Sequence, residues 1–206
     1  MSSRLFWPLV GLLCLTAALA GYRLAGGPDN PHPAPGYGTW LPQPRPLERF
    51  RLTDSAGRPF TRADLKGRVS LVYFGYTHCS HECPDTLAML ARVQRAVGLA
   101  RLQVLFVTLD PRRDTPAVLT RYLRRFDPDF IGLTGTTAGL RRLARGLGVA
   151  LGKVALPGGG YTFEHTVAVF LFDARAREAA VFMPPLHARR LAAALRRRRR
   201  RLLDPT

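Results

Sequence analysis

Two cysteines separated by three residues, Cys79 and Cys83, are the feature of this sequence best suited to chemistry. They follow a dense apolar run and precede a helical pattern that opens at Pro84, so they lie at a predicted strand-to-helix junction. The N-terminus of a helix stabilises a thiolate through its unpaired N–H groups and its dipole. Thiolates serve either as a dithiol redox couple or as two ligands of a soft metal ion. The three-residue spacing favours the metal only weakly.

A soft metal ion held by two thiolates needs a further ligand, and a neutral imidazole suits copper in either oxidation state. The candidates are His78, His81, His165 and His187. We choose His165, because it stands where a predicted hairpin joins a strong strand, and a parallel neighbour in the sheet would bring it over the cysteine loop. That strand start also lacks the proline expected beside the dithiol of a thioredoxin-type reductase. His78 and His81 are expected to face solvent, and His187 to begin a helix.

A structural disulfide between Cys79 and Cys83 is the plainest alternative to a functional pair. Such a bridge would close too short a loop to stabilise the fold much. The remaining cysteine, Cys14, lies in an apolar segment, where we expect it to face lipid or to be removed with that segment. The sequence therefore favours a functional pair.

Residues 5–22 carry no charge and are flanked by Arg4 and Arg23. This pattern is typical of a signal segment or a short membrane span, and we favour an uncleaved anchor. Residues 1–25 are thus predicted to hold the protein at the cell membrane, with the rest on the extracytoplasmic side. An oxidising compartment would make the cysteines form a disulfide unless a metal or a reductant prevents it.

The rest of the chain is long enough for one domain with its own core. Residues 26–46 are rich in Pro and Gly and are predicted to be an extended linker, which leaves residues 47–206 as the domain. Strands alternate with helices there, so we predict an α/β, thioredoxin-like fold with a central mixed sheet flanked by helices. The predicted elements are hairpins over residues 50–60 and 149–163, strands over 69–75, 102–109, 130–133 and 166–172, an edge strand over 179–182, and helices after Pro84, after Pro116, over 136–148 and over 186–201.

Positive charge dominates the composition, with 31 Lys and Arg against 14 Asp and Glu and a net charge of +17. The arginine run over residues 196–201 suits the negative end of a helix dipole, and it could attract anionic lipid or an acidic partner. Nucleic acid is a poor interpretation for an exported domain. Asp110, Arg113 and Asp114 are expected to cap a helix and fix a loop.

Taken together, the motifs resemble those of the Sco (SenC) family of membrane-anchored copper chaperones over about residues 50–172. The matching segments are Phe50-Arg-Leu-Thr-Asp with Gly57, Leu65-Lys-Gly67, Tyr73-Phe-Gly-Tyr-Thr-His-Cys79, Cys83-Pro84, Asp110-Pro, Arg113-Asp-Thr-Pro116, Leu133-Thr-Gly135 and His165 with residues 169–173.

The resemblance implies that Cys79, Cys83 and His165 bind one copper ion, as Cu(I) or Cu(II). It also implies delivery of copper to the binuclear site of cytochrome c oxidase subunit II, or reduction of that subunit's cysteines so that another periplasmic carrier can load it. An extracytoplasmic thiol–disulfide oxidoreductase or a redox sensor would use the same cysteine pair. The chain departs from the family between the cysteines, where Ser80-His-Glu82 replaces the usual Pro-Asp-aliphatic sequence, and this makes His81 a possible additional ligand.

Overall fold

The structure, a computed structural model, describes residues 37–204. The predicted anchor over residues 1–25 and most of the predicted linker lie outside the described residues. Among residues 37–204, no helix combines the length and apolar character needed to cross a bilayer. An eight-stranded sheet organises this part of the chain. Its strands are β1 Thr39–Pro46, β2 Arg51–Asp54, β3 Pro59–Thr61, β4 Val69–Gly75, β5 Leu102–Thr108, β6 Ile131–Thr134, β9 Val169–Phe172 and β10 Arg177–Phe182, while β7 Leu151–Ala155 and β8 Tyr161–His165 form a separate hairpin. The strand order in the sheet is β1-β10-β9-β4-β5-β6-β2-β3.

The two central strands, β4 and β5, run parallel in register from Val69 opposite Leu102 to Gly75 opposite Thr108. Every residue of both strands is buried, as their mostly apolar and β-branched composition, interrupted by Ser70 and Gln103, predicts for strands covered on both faces. On its other side β4 pairs with β9 in the antiparallel direction. The sheet is therefore mixed, which confirms that prediction.

Helices cover both faces of the sheet because successive side chains of a strand point to opposite faces. Tyr73 of β4 belongs to one hydrophobic cluster and its neighbour Phe74 to another. The first cluster includes residues of four of the helices, and the second includes residues of the remaining helix and of a short 3₁₀ helix. The helices are α1 Glu82–Val97, α2 Pro116–Leu123, α4 Ala188–Arg197 and a short final α5 Arg199–Leu203 on the first face, and α3 Thr137–Gly146 with the 3₁₀ helix Arg62–Leu65 on the second.

The linker prediction was wrong for its last eight residues, because Thr39–Pro46 forms strand β1. Prolines are tolerated there because β1 is an edge strand, and its pairing with β10 shifts register between Trp40 and Arg45. Two further predictions, the edge strand over residues 179–182 and the continuous helix over residues 186–201, were also wrong in part. Strand β10 lies between β1 and β9 instead of at the edge, and the C-terminal helix is interrupted at Arg198.

Candidate metal centre

The loop between β4 and α1 brings the two cysteines together. Cys79 lies in this loop and is half-buried, while Cys83 occupies the first turn of α1 and is fully buried. Both are free thiols. The backbone N–H of Cys83 donates to Sγ of Cys79 over 3.4 Å. The predicted strand-to-helix junction is therefore confirmed, and a helix N–H group stabilises negative charge on Cys79.

The two thiols differ in acidity. A side-chain hydrogen bond from Cys83, helped by the Cys83 backbone N–H, lowers the pKa of Cys79 to about 6, although burial and the Glu82 carboxylate act in the opposite direction. The same bond to Cys79, together with burial, raises the pKa of Cys83. Cys79 is therefore the thiolate at neutral pH and Cys83 retains its proton. A bound metal ion would displace that proton, since metal ligands are thiolates.

Tyr73 and Gly75, both from β4, shape the space around Cys83. The buried hydroxyl of Tyr73 lies 3.6 Å from Cys83 Sγ. A Cβ atom at Gly75 would lie 2.8 Å from the same sulfur and 2.7 Å from the ring of Phe106, which is closer than such atoms pack. A glycine is therefore required at the end of β4 for Cys83 to fit. Both residues belong to the matching segment from Tyr73 to Cys79, but the sequence did not predict a role for either of them at the site.

His165 is the last residue of β8, and its ring lies beside two tyrosine rings. Its half-buried ring is 6.4 Å from the ring of Tyr73 and 6.5 Å from that of Tyr76, centroid to centroid. Nδ1 lies 3.0 Å from the carbonyl oxygen of Thr166. A carbonyl oxygen only accepts, so Nδ1 carries the proton and Nε2 of the neutral ring keeps a free lone pair. Burial lowers the pKa of His165, which favours this neutral form.

We predicted that a parallel strand would bring His165 to the cysteine loop, and the direction of that strand was wrong. The predicted position of His165, at the end of the sheet where the cysteines lie, is correct. The strand that follows His165 is β9, which pairs with β4 in the antiparallel direction, Val169 opposite Tyr73. The start of an antiparallel strand lies beside the end of its partner. Antiparallel pairing therefore brings residues 166–168, between His165 and β9, to the edge of the sheet where β4 ends and the cysteine loop begins.

The buried carboxylate of Asp114 holds the cysteine loop in place. It accepts the Thr77 backbone N–H at 3.0 Å, the Thr77 hydroxyl at 2.6 Å and the Thr108 hydroxyl at 2.6 Å. Thr77 precedes Cys79 by two residues, and Thr108 ends β5. The carboxylate therefore joins the loop to the neighbouring strand by charge-assisted hydrogen bonds. The predicted loop-fixing role of Asp114 is confirmed, while Thr115 caps α2.

The hairpin that carries His165 is held by the same region. The hydroxyl groups of Tyr76 and Thr162 are 2.6 Å apart. The Tyr161 hydroxyl donates to Asp110 Oδ1 at 3.0 Å, and the guanidinium of Arg113 pairs with Asp110 while lying 4.1 Å above the Tyr161 ring. The predicted loop-fixing roles of Asp110 and Arg113 are confirmed, whereas the predicted capping role belongs to Thr115. These contacts fix the hairpin against the cysteine loop.

The other histidines among residues 37–204 are exposed. His78 lies 3.1 Å from the Thr77 hydroxyl through Nδ1, His81 precedes α1, and His187 precedes α4, where its backbone N–H donates to the Tyr37 hydroxyl. Across residues 37–204, no three His, Cys, Asp or Glu side chains already converge on one point as a closed metal site. The structure brings the two sulfurs together and sets the His165 ring against Tyr73, which also contacts Cys83. Coordination by all three remains a prediction.

The sequence and the fold of this chain were compared with those of known proteins. The sequence profile of the SCO1/SenC family matches residues 42–200. The chain belongs to the SCO1/SenC family. Protein SCO2 homolog, mitochondrial, of Bos taurus is 37% identical over 134 residues, which cover 60% of this chain and 48% of the bovine protein. The chain thus spans about half the length of the curated family members it matches.

Solved structures of family members share the fold. ScoI of Bradyrhizobium japonicum, solved with copper bound, is 36% identical with a TM-score of 0.68, over 74% of this chain and 98% of that chain. Arabidopsis thaliana ScoI, also solved with copper bound, is 26% identical with a TM-score of 0.72, over 75% and 98%. The mixed α/β architecture is therefore that of the Sco proteins.

Proposed function

We propose that this protein binds one copper ion through Cys79, Cys83 and His165 and delivers it to the binuclear copper site of cytochrome c oxidase subunit II. The observation that carries the proposal is the arrangement around Tyr73: its hydroxyl contacts Cys83, Cys83 contacts Cys79, and its ring neighbours His165, whose Nε2 is left to bind a metal. Two family members of the same fold were solved with copper bound, which supports the choice of metal.

The donor set fits copper on chemical grounds. Thiolates are soft ligands and imidazole suits copper, whereas the hard ions calcium and magnesium prefer oxygen ligands. Cys79 is half-exposed and Cys83 is buried, so an incoming ligand from a client reaches Cys79 first. We propose that thiolates of the client replace the ligands of this chain one at a time, beginning at Cys79. The copper ion is the cargo in this exchange.

A membrane tether forms part of the proposal. Residues 5–22 would anchor the chain in the cell membrane and leave the copper-binding domain on the extracytoplasmic side, where the client is exposed. Washing membranes at alkaline pH tests this, because a spanning helix stays with the bilayer and a peripheral protein is released. Release of the full chain into the wash would contradict the anchor without affecting the proposal for copper.

Copper binding is tested by titrating the reduced protein with Cu(I) against a competing chelator. We expect one ion per chain for the native sequence and a large loss of affinity for His165→Ala. The exposed His187 gives a matched control, and His187→Ala should bind copper as the native sequence does. A native protein that takes up no copper would overturn the proposal.

A second function, reduction of a client disulfide, is favoured by the unequal acidity of the two thiols. The Cys79 thiolate would attack one sulfur of the client disulfide, forming a mixed disulfide and releasing one client thiolate. Cys83, after losing its proton, would then attack Cys79, forming the Cys79–Cys83 disulfide and releasing the second client thiolate. Two electrons pass to the client, and a redox sensor would use the same exchange.

His165 separates the two functions. It contributes a ligand to copper but neither a sulfur nor an electron to disulfide exchange. We expect His165→Ala to reduce a disulfide-containing client peptide at close to the native rate while failing to hold copper. Equal loss of both activities would show that His165 supports the fold of the site and not specifically the metal.

A further inference from the structure

Exposed arginines crowd the end of the domain opposite the cysteines. We call this surface the basic pole and define it as Arg68, Arg101, Arg175 and the arginine run over residues 196–201, all of them exposed except Arg198, which is half-buried against Trp40. Arg68 and Arg101 directly precede β4 and β5, which are parallel and begin side by side, Val69 opposite Leu102. Because the cysteine loop follows the other end of β4, these arginines lie at the far edge of the sheet.

The C-terminal helices bring the arginine run to the same edge. The backbone N–H of Ala174, which follows β9, donates to the carbonyl oxygen of Leu202 at 2.9 Å, and Arg175 is its neighbour. A guanidinium nitrogen of Arg196 donates to the carbonyl oxygen of Ala96 at 2.8 Å, near the last residue of α1. Helix α1 begins at the cysteines and has 16 residues, a length of about 24 Å. The basic pole and the candidate metal centre are thus separated by about the length of this helix.

The charges of the basic pole are not neutralised within the described chain. In residues 37–204 the carboxylates that form ion pairs are joined to Arg45, Arg58, Arg95, Arg113 and Arg177 or lie near His78, and none lies within 4.0 Å of a cationic group of the basic pole. Asp173 is the carboxylate closest in sequence to Arg175, and it is bound to Arg177. Exposed Asp204 follows the run but balances only one of its charges. A strong positive potential therefore remains over this end of the domain.

The chemistry of the basic pole fits a bilayer surface better than a protein partner. The cores of protein interfaces are rich in aromatic residues, methionine and arginine and poor in Lys, Glu and Asp, and their arginines act beside buried apolar anchors. Among residues 37–204, the exposed large apolar side chains are Leu156 and Met183, one beside the turn of the β7–β8 hairpin and the other just after β10 at the cysteine end. The basic pole has neither, so it lacks an apolar anchor for a protein. Binding to anionic lipid headgroups needs only positive charge on the protein. Each arginine near the bilayer surface strengthens that binding about fivefold, equivalent to about 1 kcal/mol.

We infer that the basic pole binds the anionic phospholipid headgroups of a bilayer. Binding in this way directs the candidate metal centre away from the membrane by about 24 Å, the length of α1, where a client domain can reach it. The described chain begins at Tyr37, near the cysteine end. The fourteen residues 23–36 can span at most about 50 Å, so an anchor over residues 5–22 would permit this orientation. The inference does not depend on copper binding or on the anchor.

Vesicle binding by the domain over residues 36–206 tests this inference. These residues form a compact unit that contains both hydrophobic clusters, so the domain can be studied without the apolar segment. The probes are vesicles of phosphatidylcholine alone and of phosphatidylcholine mixed with phosphatidylglycerol, with and without added salt. We expect sedimentation only with the anionic vesicles, and weaker binding as salt is raised.

Two matched triple variants locate the binding surface. Replacing Arg197, Arg200 and Arg201 by Gln removes three exposed charges from the basic pole, while Arg196 and Arg198 keep their contacts with Ala96 and Trp40. The control replaces Arg141, Arg142 and Arg145 by Gln. These exposed arginines belong to α3, which covers the opposite face of the sheet, and their replacement removes the same net charge. We expect the first triple to weaken vesicle binding at least tenfold and the control by less than threefold. Equal effects of the two triples, or no binding of the native domain to anionic vesicles, would overturn the inference.

Discussion

The imidazole of His165 donates a hydrogen bond from Nδ1 to the carbonyl oxygen of the next residue, Thr166, over 3.0 Å. This single bond determines which nitrogen is available. It leaves Nε2 as the atom that can bind copper, and it orients the ring in the way that hydrogen-bonded neighbours orient metal-binding histidines. The site is therefore prepared on the histidine side before any metal arrives.

Nitrogen NMR of the reduced protein should show His165 as the Nδ1-protonated tautomer. Burial lowers the pKa of His165, so we expect the neutral ring to persist below its ordinary pKa of about 6.5. The exposed His187 provides the comparison in the same sample. A ring protonated on Nε2 would contradict the assignment and would require copper to bind elsewhere.

Alkylation of Cys79 should depend on pH with a midpoint near 6. The thiolate is the reactive form, and the hydrogen bond from Cys83 lowers the pKa of Cys79 to about 6, below the ordinary value of a free cysteine. Reaction with iodoacetamide is therefore expected to be slow below pH 6 and to reach its full rate above it. Mass spectrometry of the peptides separates Cys79 from the buried Cys83, which should react more slowly.

Cys83→Ala supplies the control for this pH profile. It removes the sulfur donor but keeps a backbone N–H at position 83, so the midpoint of Cys79 should move upward. An unchanged midpoint would assign the acidity of Cys79 to the helix N-terminus alone.

Gly75→Ala should disturb Cys83 more than its small size suggests. The new methyl group would lie 2.8 Å from Cys83 Sγ and 2.7 Å from the Phe106 ring, both in a close-packed interior. We expect a loss of about 1–3 kcal/mol in the free energy of unfolding, the usual effect of overpacking, together with weaker Cu(I) binding. Denaturant unfolding and copper titration measure the two effects.

Gly152→Ala is the matched substitution in a strand with open space around it. The nearest atom to its new methyl group would be a carbonyl oxygen of Glu164 at 4.0 Å. It should change neither stability nor copper affinity appreciably. If both alanine variants behaved alike, the contact between position 75 and Cys83 would not matter for the site.

Asp114→Asn should loosen the cysteine loop. The carboxylate accepts two hydrogen bonds from Thr77 and one from Thr108, and the amide group offers donors where only acceptors are useful. We expect a loss of about 2 kcal/mol in unfolding free energy and faster hydrogen exchange at the Thr77 amide. The exposed Asp129 gives the control substitution, for which little change is expected. Unaltered exchange at Thr77 in Asp114→Asn would contradict this role.

Much of the fold follows from local sequence patterns. The strands β4 and β5 are dense, mostly apolar runs, and the prolines at positions 84 and 116 mark the first turns of α1 and α2, so the positions of these elements are predictable. Strand β1 is not predictable in this way, because its prolines exclude a central strand and only pairing with β10 makes it a strand. Composition describes a segment alone, whereas an edge strand depends on its partner.

The residues of the site also divide into those that the sequence identifies and those that only the packing of the fold reveals. Cys79, Cys83 and His165 are identified from residue type, spacing and family resemblance, and Asp114 from its place before a helix. Gly75 and Tyr73 were missed because they read as ordinary members of a buried strand. Their importance depends on which atoms face Cys83 across the fold, and this information exists only once α1 packs against β4.

X-ray absorption spectroscopy of the reduced, copper-loaded protein tests the central claim most directly, because it identifies the atoms bound to the metal. We predict sulfur and imidazole nitrogen in the ratio of two to one for the native chain, and loss of the imidazole signal in His165→Ala but not in His187→Ala. A copper environment without imidazole in the native protein, or one that keeps its imidazole in His165→Ala, would contradict the assignment of Cys79, Cys83 and His165 as the ligands.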